Sequence, residues 1–88
     1  MNYPESLRPV RQEMQCALRG QTLRLAAQRA GAEEADRAVV QYGAGAALDR
    51  AATAWSFGHH AEATAWMRAA ESQLLLAGIP IPWPLTHA

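Results

Sequence analysis

Three histidines, a single cysteine and a run of arginines are the residues here whose types suit chemistry. His59 and His60 are adjacent, His87 lies near the end, and Cys16 and Glu62 are the other candidate metal ligands. Metal sites on helices use ligands three or four residues apart on one face, whereas neighbours point about 100° apart. The histidine pair therefore reads as a helix start, and no metal or cofactor is expected. A pH-responsive contact stays open, because imidazole titrates near neutrality. No nucleophile elbow, phosphate loop or carboxylate pair occurs, and the acids fall at helix starts or on polar faces. An enzyme is not expected.

Arg8, Arg11, Gln12, Gln15 and Arg19 line one side of the first helix. Such a stripe suits a solvated face, an acidic protein surface or a phosphate backbone. No interleaved aromatics, basic arm or helix-turn-helix signature accompanies it, which leaves nucleic acid the least favoured of the three. Formal charge is zero overall, yet unevenly distributed. Residues 1–31 carry five arginines against Glu5 and Glu13, net +3, and residues 32–88 carry three against six acids, net −3. Opposite halves suit docking of one on the other, within a chain or between two copies.

The third candidate for function is apolar. An alanine-rich helix ends in Leu74, Leu75 and Leu76, stops at Gly78, and gives way to Ile79-Pro80-Ile81-Pro82-Trp83-Pro84-Leu85. A solvated tail would be polar, so this one must lie on something. Leu75 falls between Arg68, Glu71 and Ser72 on the polar side of its helix, and Leu76 is also off the core face. Two readings stand: the tail folds back over these leucines, or they form a partner surface or homodimer seam.

The elements that position these residues are helical. Alanine richness, few β-branched residues and glycine punctuation give an all-α expectation. The spacing predicts a first helix from about Leu7 to Arg29, with Ser6 as N-cap, Pro9 in the first turn and Gly20 as a kink point. Its expected core face is Leu7, Val10, Met14, Ala17, Leu18, Gln21 and Leu25. Gly31 closes it, and Glu33, Glu34 and Asp36 open a second helix with acids where the macrodipole favours them. That helix changes face near Gly43-Ala44-Gly45-Ala46, from Ala35, Ala38, Val39, Tyr42 and Ala46 to Leu48, Ala51, Ala52 and Trp55. Either it breaks there or another backbone crosses close against the glycines. A third helix is expected from about His60 to Ala77, with Ala63, Trp66, Met67, Ala70, Leu74 and Ala77 on its core face. Packed antiparallel to the second, it sets Trp66 against Ala51 and Ala52, Trp55 against Ala63, and Leu48 against Ala69 and Ala70, large on small at each level.

The expected fold is a small antiparallel three-helix bundle, or four if the second helix kinks, over residues 1–78. An extended Pro-rich apolar tail follows over 79–88. Eighty-eight residues allow one domain, marginal alone and helped by oligomerisation, so a homodimer is expected in the free state. One cysteine precludes an intrachain disulfide and fits a reducing compartment. Residues 1–6 lack the regions of a signal peptide, and no apolar run is long enough for a membrane span. The expectation is cytoplasmic. Absent lysine with abundant alanine and arginine suggests a GC-rich bacterial genome.

Gln73-Leu74-Leu75-Leu76-Ala77-Gly78-Ile79-Pro80 resembles the close of the small all-helical TraM-type quorum-sensing antiactivators, where a leucine-rich last helix exits through a Gly-apolar-Ile-Pro turn. The resemblance covers less than a quarter of the chain. It implies a small helical dimer that binds a LuxR-type transcription activator and blocks its DNA binding. The expected role is thus a small bacterial regulator that binds and occludes another protein. Leu75, Leu76, Ile79, Ile81 and Trp83 would make the apolar contact, and Arg8, Arg11 and Arg19 would complement an acidic rim. Alternatives are a small DNA-binding protein using the arginine face and a helical-hairpin chaperone for a secreted protein.

Overall fold

The computed structural model describes residues 8–86, with side chains from residue 12 onward. Ser6, Leu7 and His87, and the side chains of Arg8, Val10 and Arg11, lie outside the described residues. The chain is all-α, with no strand among the described residues. Its elements are α1 (Arg8–Arg29), α2 (Glu34–Ala38), a π-helical segment (Val39–Ala44), α3 (Gly45–Ser56) and α4 (His60–Ala77). Helical dihedrals continue through Val39, Ala44 and Gly45, so α2, the π segment and α3 form one rod.

Each rod ends by the same device. Gly31, Gly58 and Gly78 take φ of 62°, 74° and 71°, where a side chain would be strained. At the last of these, Gly78 N–H donates to Leu75 O and Ile79 N–H to Leu74 O. Two otherwise orphaned carbonyls are satisfied, and the tail leaves at a fixed angle.

The glycines of the second rod neither break it nor seat another backbone. Side chains occupy them instead. An added Cβ at Gly45 would stand 2.7 Å from Arg24 Nη2 and 2.5 Å from Val40 O, and one at Gly43 would collide with the Gln73 amide. The absent side chains let Arg24 of α1 and Gln73 of α4 lie across the rod. The π segment also corrects the expected face. A wider turn rotates everything before it, so Val40 and Ala44 are buried, while Ala35, Ala38 and Tyr42 are exposed. A 3.6-residue period misplaces those positions.

On α1 the expected face is the wrong one. Cys16, Gly20 and Leu23 are buried, and Ala27 packs against the core. Met14, Leu18 and Leu25 are about half exposed, at 60%, 58% and 49%. The helix carries two apolar stripes on opposite sides, and the bundle takes the one with small residues. Close approach explains the choice: a Cβ on Gly20 would lie 3.9 Å from Leu48 Cβ of α3. Bulky side chains at that crossing would hold the helices apart.

The hairpin of α3 and α4 matches the large-on-small expectation more closely. Leu48 and Ala70 share one cluster with Leu23, Val40, Ala44, Ala47 and Leu74, and Trp66 packs against it. Ala51 and Met67 share a second with Cys16, flanked by Ala52, Trp55 and Trp66. Both α1 and α4 pack mainly on the second rod and little on each other. That leaves a groove between them, and the tail enters it.

Candidate interaction surfaces

Residues 79–86 form no regular helix, and four of them, Ile79, Ile81, Trp83 and Thr86, are half-buried. Ile79, Ile81 and Trp83 pack against the larger core cluster. Pro80, Pro82 and Pro84 supply no backbone N–H, so the segment is not held by a backbone ladder. It is held at one side chain. Glu71 of α4, 4% exposed, accepts a hydrogen bond from Trp83 Nε1 at 2.7 Å. It accepts two more from Thr86, the backbone N–H at 2.9 Å and the hydroxyl at 2.9 Å. A buried carboxylate is costly unless its oxygens are satisfied, and three donors satisfy it. The Arg19 guanidinium of α1 lies over the Trp83 ring, 5.0 Å from the centroid. The indole thus ties α4 to α1 across the groove.

Sequence reasoning put Glu71 on the polar side of α4, and the structure buries it. The signal available was the pairing of an acid on the last helix with a tryptophan and a threonine in the segment that follows. The tail does fold back, but it lies beside Glu71 and leaves Leu75 and Leu76 open. These are 60% and 90% exposed. Among the residues expected to bind a partner, Ile79, Ile81 and Trp83 therefore contact the protein's own core, and Leu75 and Leu76 face outward. Arg19 is half-buried beneath Trp83. Arg8 and Arg11 sit in the first turns of α1, their side chains outside the described residues.

Arg24 is also engaged. Its Nε donates to Gln41 Oε1 at 2.9 Å, and its Nη2 meets Asp49 Oδ2 at 3.1 Å. This pair is partly exposed and contributes about 0–1 kcal/mol. Its consequence is positional, since it draws the guanidinium over Gly45 and reduces the free positive charge of α1.

The histidines divide. His59 Nδ1 lies 3.5 Å from Glu62 Oε2 on the surface, and His60 packs on Trp55 with ring centroids 4.8 Å apart. Among the described residues no three potential metal ligands gather. Burial pushes the Cys16 thiol above its ordinary value, opposed in part by the Arg19 charge and by the Trp55 indole N–H. That N–H is buried and has no hydrogen-bond partner among the described residues. An inward, desolvated thiol is a packing residue and a slow nucleophile.

One apolar hollow of about 410 Å³ lies where the tail leaves α4. Ala26, Ala30, Val40, Ile79 and Pro80 help to line it, with Asp36 at its edge. No helix of the described residues is long and apolar enough to cross a membrane. No family model matches the chain, and no curated protein or solved structure matches it.

Proposed function

We propose that this chain is a small bacterial regulatory protein that works by binding and occluding another protein. The observation that carries the reading is the adjacent pair Leu75 and Leu76, left 60% and 90% exposed on a helix whose core face is already filled. Two leucines at the end of a rigid helix, beside a segment fixed by Glu71, make a preformed apolar contact. Remaining cationic side chains of α1 complement an acidic rim on the partner. The Gly78-Ile79-Pro80 exit and leucine run supply the finer suggestion, a LuxR-type transcription activator as target. The regulator would act in the cytoplasm.

Duplex DNA is less well supported, because Arg19 and Arg24 are held by Trp83, Gln41 and Asp49. Nothing singles out a secreted client for a chaperone.

The test is affinity capture from nuclease-treated lysate of the native host, run in parallel with Leu75→Arg. The expected result is one stoichiometric protein retained by the wild type and lost from the variant, with unchanged helical circular dichroism. Equal capture by Leu75→Arg removes the leucine surface. Recovery of nucleic acid alone before nuclease, and of nothing after it, puts the arginine face in charge.

A further inference from the structure

Where the tail leaves α4 it walls a hollow whose lining includes neither Leu75 nor Leu76. α1 supplies one side through Ala26 and Ala30, and Pro80 and Pro82 supply the other. Leu23 and Val40, both buried, close it from the core side. Its volume of about 410 Å³ falls among small-molecule sites, which run from about 300 to 1,000 Å³. Alanine makes the space, since a larger side chain at the exposed positions 26 and 30 would project into it. From Thr22 to Ala30 the α1 wall rises about 12 Å, the reach of an extended octyl chain.

The polar groups select what enters. Only Thr22 and Asp36 bring polar side chains to the lining. Asp36 is half-buried, and among the described residues its carboxylate has no ion pair. The next residue, Arg37, lines a different hollow beside Gln41 and Tyr42. The C-terminal end of α1 borders the site too, and the negative pole of its macrodipole adds to the Asp36 charge. The tail wall offers no hydrogen-bond donor. Pro80 and Pro82 lack an N–H, and those of Gly78 and Ile79 are bonded to α4. An anion would meet a like charge there, and a neutral apolar molecule would cover part of the carboxylate without pairing it. We propose that this hollow binds a small amphiphilic amine, with its alkyl chain along Ala26 and Ala30 and its ammonium at Asp36. The site stands apart from the leucine surface and does not rest on it.

Titration calorimetry at neutral pH, with octylammonium and with octanol as its uncharged match, tests both halves. The wild type is expected to bind octylammonium saturably and about tenfold more tightly than octanol, through one charge-assisted hydrogen bond. Asp36→Asn is expected to remove that margin and leave octanol binding unchanged. Ala26→Phe fills the hollow and should abolish binding of both probes. Because position 26 is exposed, its circular dichroism should match the wild type. Alanine methyl NMR locates the probe without any variant: signals of Ala26, Ala27 and Ala30 should shift as octylammonium is added. No saturable binding at millimolar octylammonium, equal affinity for octanol, a margin kept by Asp36→Asn, or binding unchanged in Ala26→Phe would each overturn the proposal. Leu75→Arg should bind octylammonium like the wild type, so failure here is distinguishable from failure of the leucine surface.

Discussion

The C-terminal tail and the outer stripe of α1 are both apolar, both lie outside the central packing of the rods, and are treated oppositely by the fold. Ile79, Ile81 and Trp83 are drawn onto the core, and Met14, Leu18 and Leu25 are left in solvent. Apolar content does not separate them. A polar anchor does. Burial free energy is non-directional and favours any cover. The three hydrogen bonds to Glu71 are directional, and they specify that this tail covers this groove. Among the described residues no hydrogen bond fixes a cover over the α1 stripe, and Met14, Leu18 and Leu25 stay exposed.

Removing the anchor is the strongest way to break the comparison. Glu71→Ala leaves Trp83 Nε1 and the Thr86 donors without their acceptor and cuts the tie between α1 and α4. A cost of about 2–4 kcal/mol is expected. In a domain of this size that lowers Tm by more than about 10 °C in thermal circular dichroism. Limited proteolysis should then cut the tail before the helices. Glu71→Gln retains one carbonyl oxygen and should fall between. A Glu71→Ala protein that melts like the wild type would mean that apolar contact alone holds the tail.

The two glycines of the second rod come next. Gly45→Ala drives a Cβ against backbone, Val40 O, as well as against Arg24. Backbone cannot move aside without disturbing the π segment, so a loss of about 1–3 kcal/mol is expected in denaturant unfolding. Gly43→Ala meets only the end of the Gln73 side chain, which can rotate away, while alanine improves helix propensity by up to about 1 kcal/mol. It should be neutral or mildly stabilising. Similar losses at both positions would show that the π segment itself excludes side chains, whatever lies across it.

Local rules carried the helix ends: Gly31, Gly58 and Gly78 stop rods because only glycine takes a left-handed turn without strain. They also carried the α3–α4 pairing, where the short turn at Gly58 fixes which side chains meet. The faces were less legible. In α1 two apolar stripes coexist, and size favoured Met14, Leu18 and Leu25. The deciding quantity is how closely α3 approaches at Gly20, a tertiary distance that periodicity does not encode. In the second rod a single π turn shifts the phase, which a fixed 3.6-residue repeat misassigns. For the candidate site, an apolar run showed that the tail needs cover, but Glu71 read as one more solvated acid. Its burial follows from the tail folding back, and the tail folds back partly because of Glu71, so neither half is readable alone.

The covered face of α1 gives the smallest and most specific effect. Cys16 lies on that face, and burial raises its thiol above the ordinary value of 9.0, with Arg19 and Trp55 offsetting part of the rise. A thiol whose pKa is higher folded than unfolded stabilises the fold fully at low pH. As pH rises past the unfolded value the unfolded chain ionises first, and the contribution is lost through the folded pKa. Denaturant midpoints should therefore be flat in this respect below about pH 8 and fall more steeply above about pH 9 than those of Cys16→Ala. Alkylation of the native protein near neutral pH should be slow and should speed up sharply with denaturant. Rapid alkylation without unfolding would place Cys16 outside and exchange the two faces of α1, burying Met14, Leu18 and Leu25 in its stead.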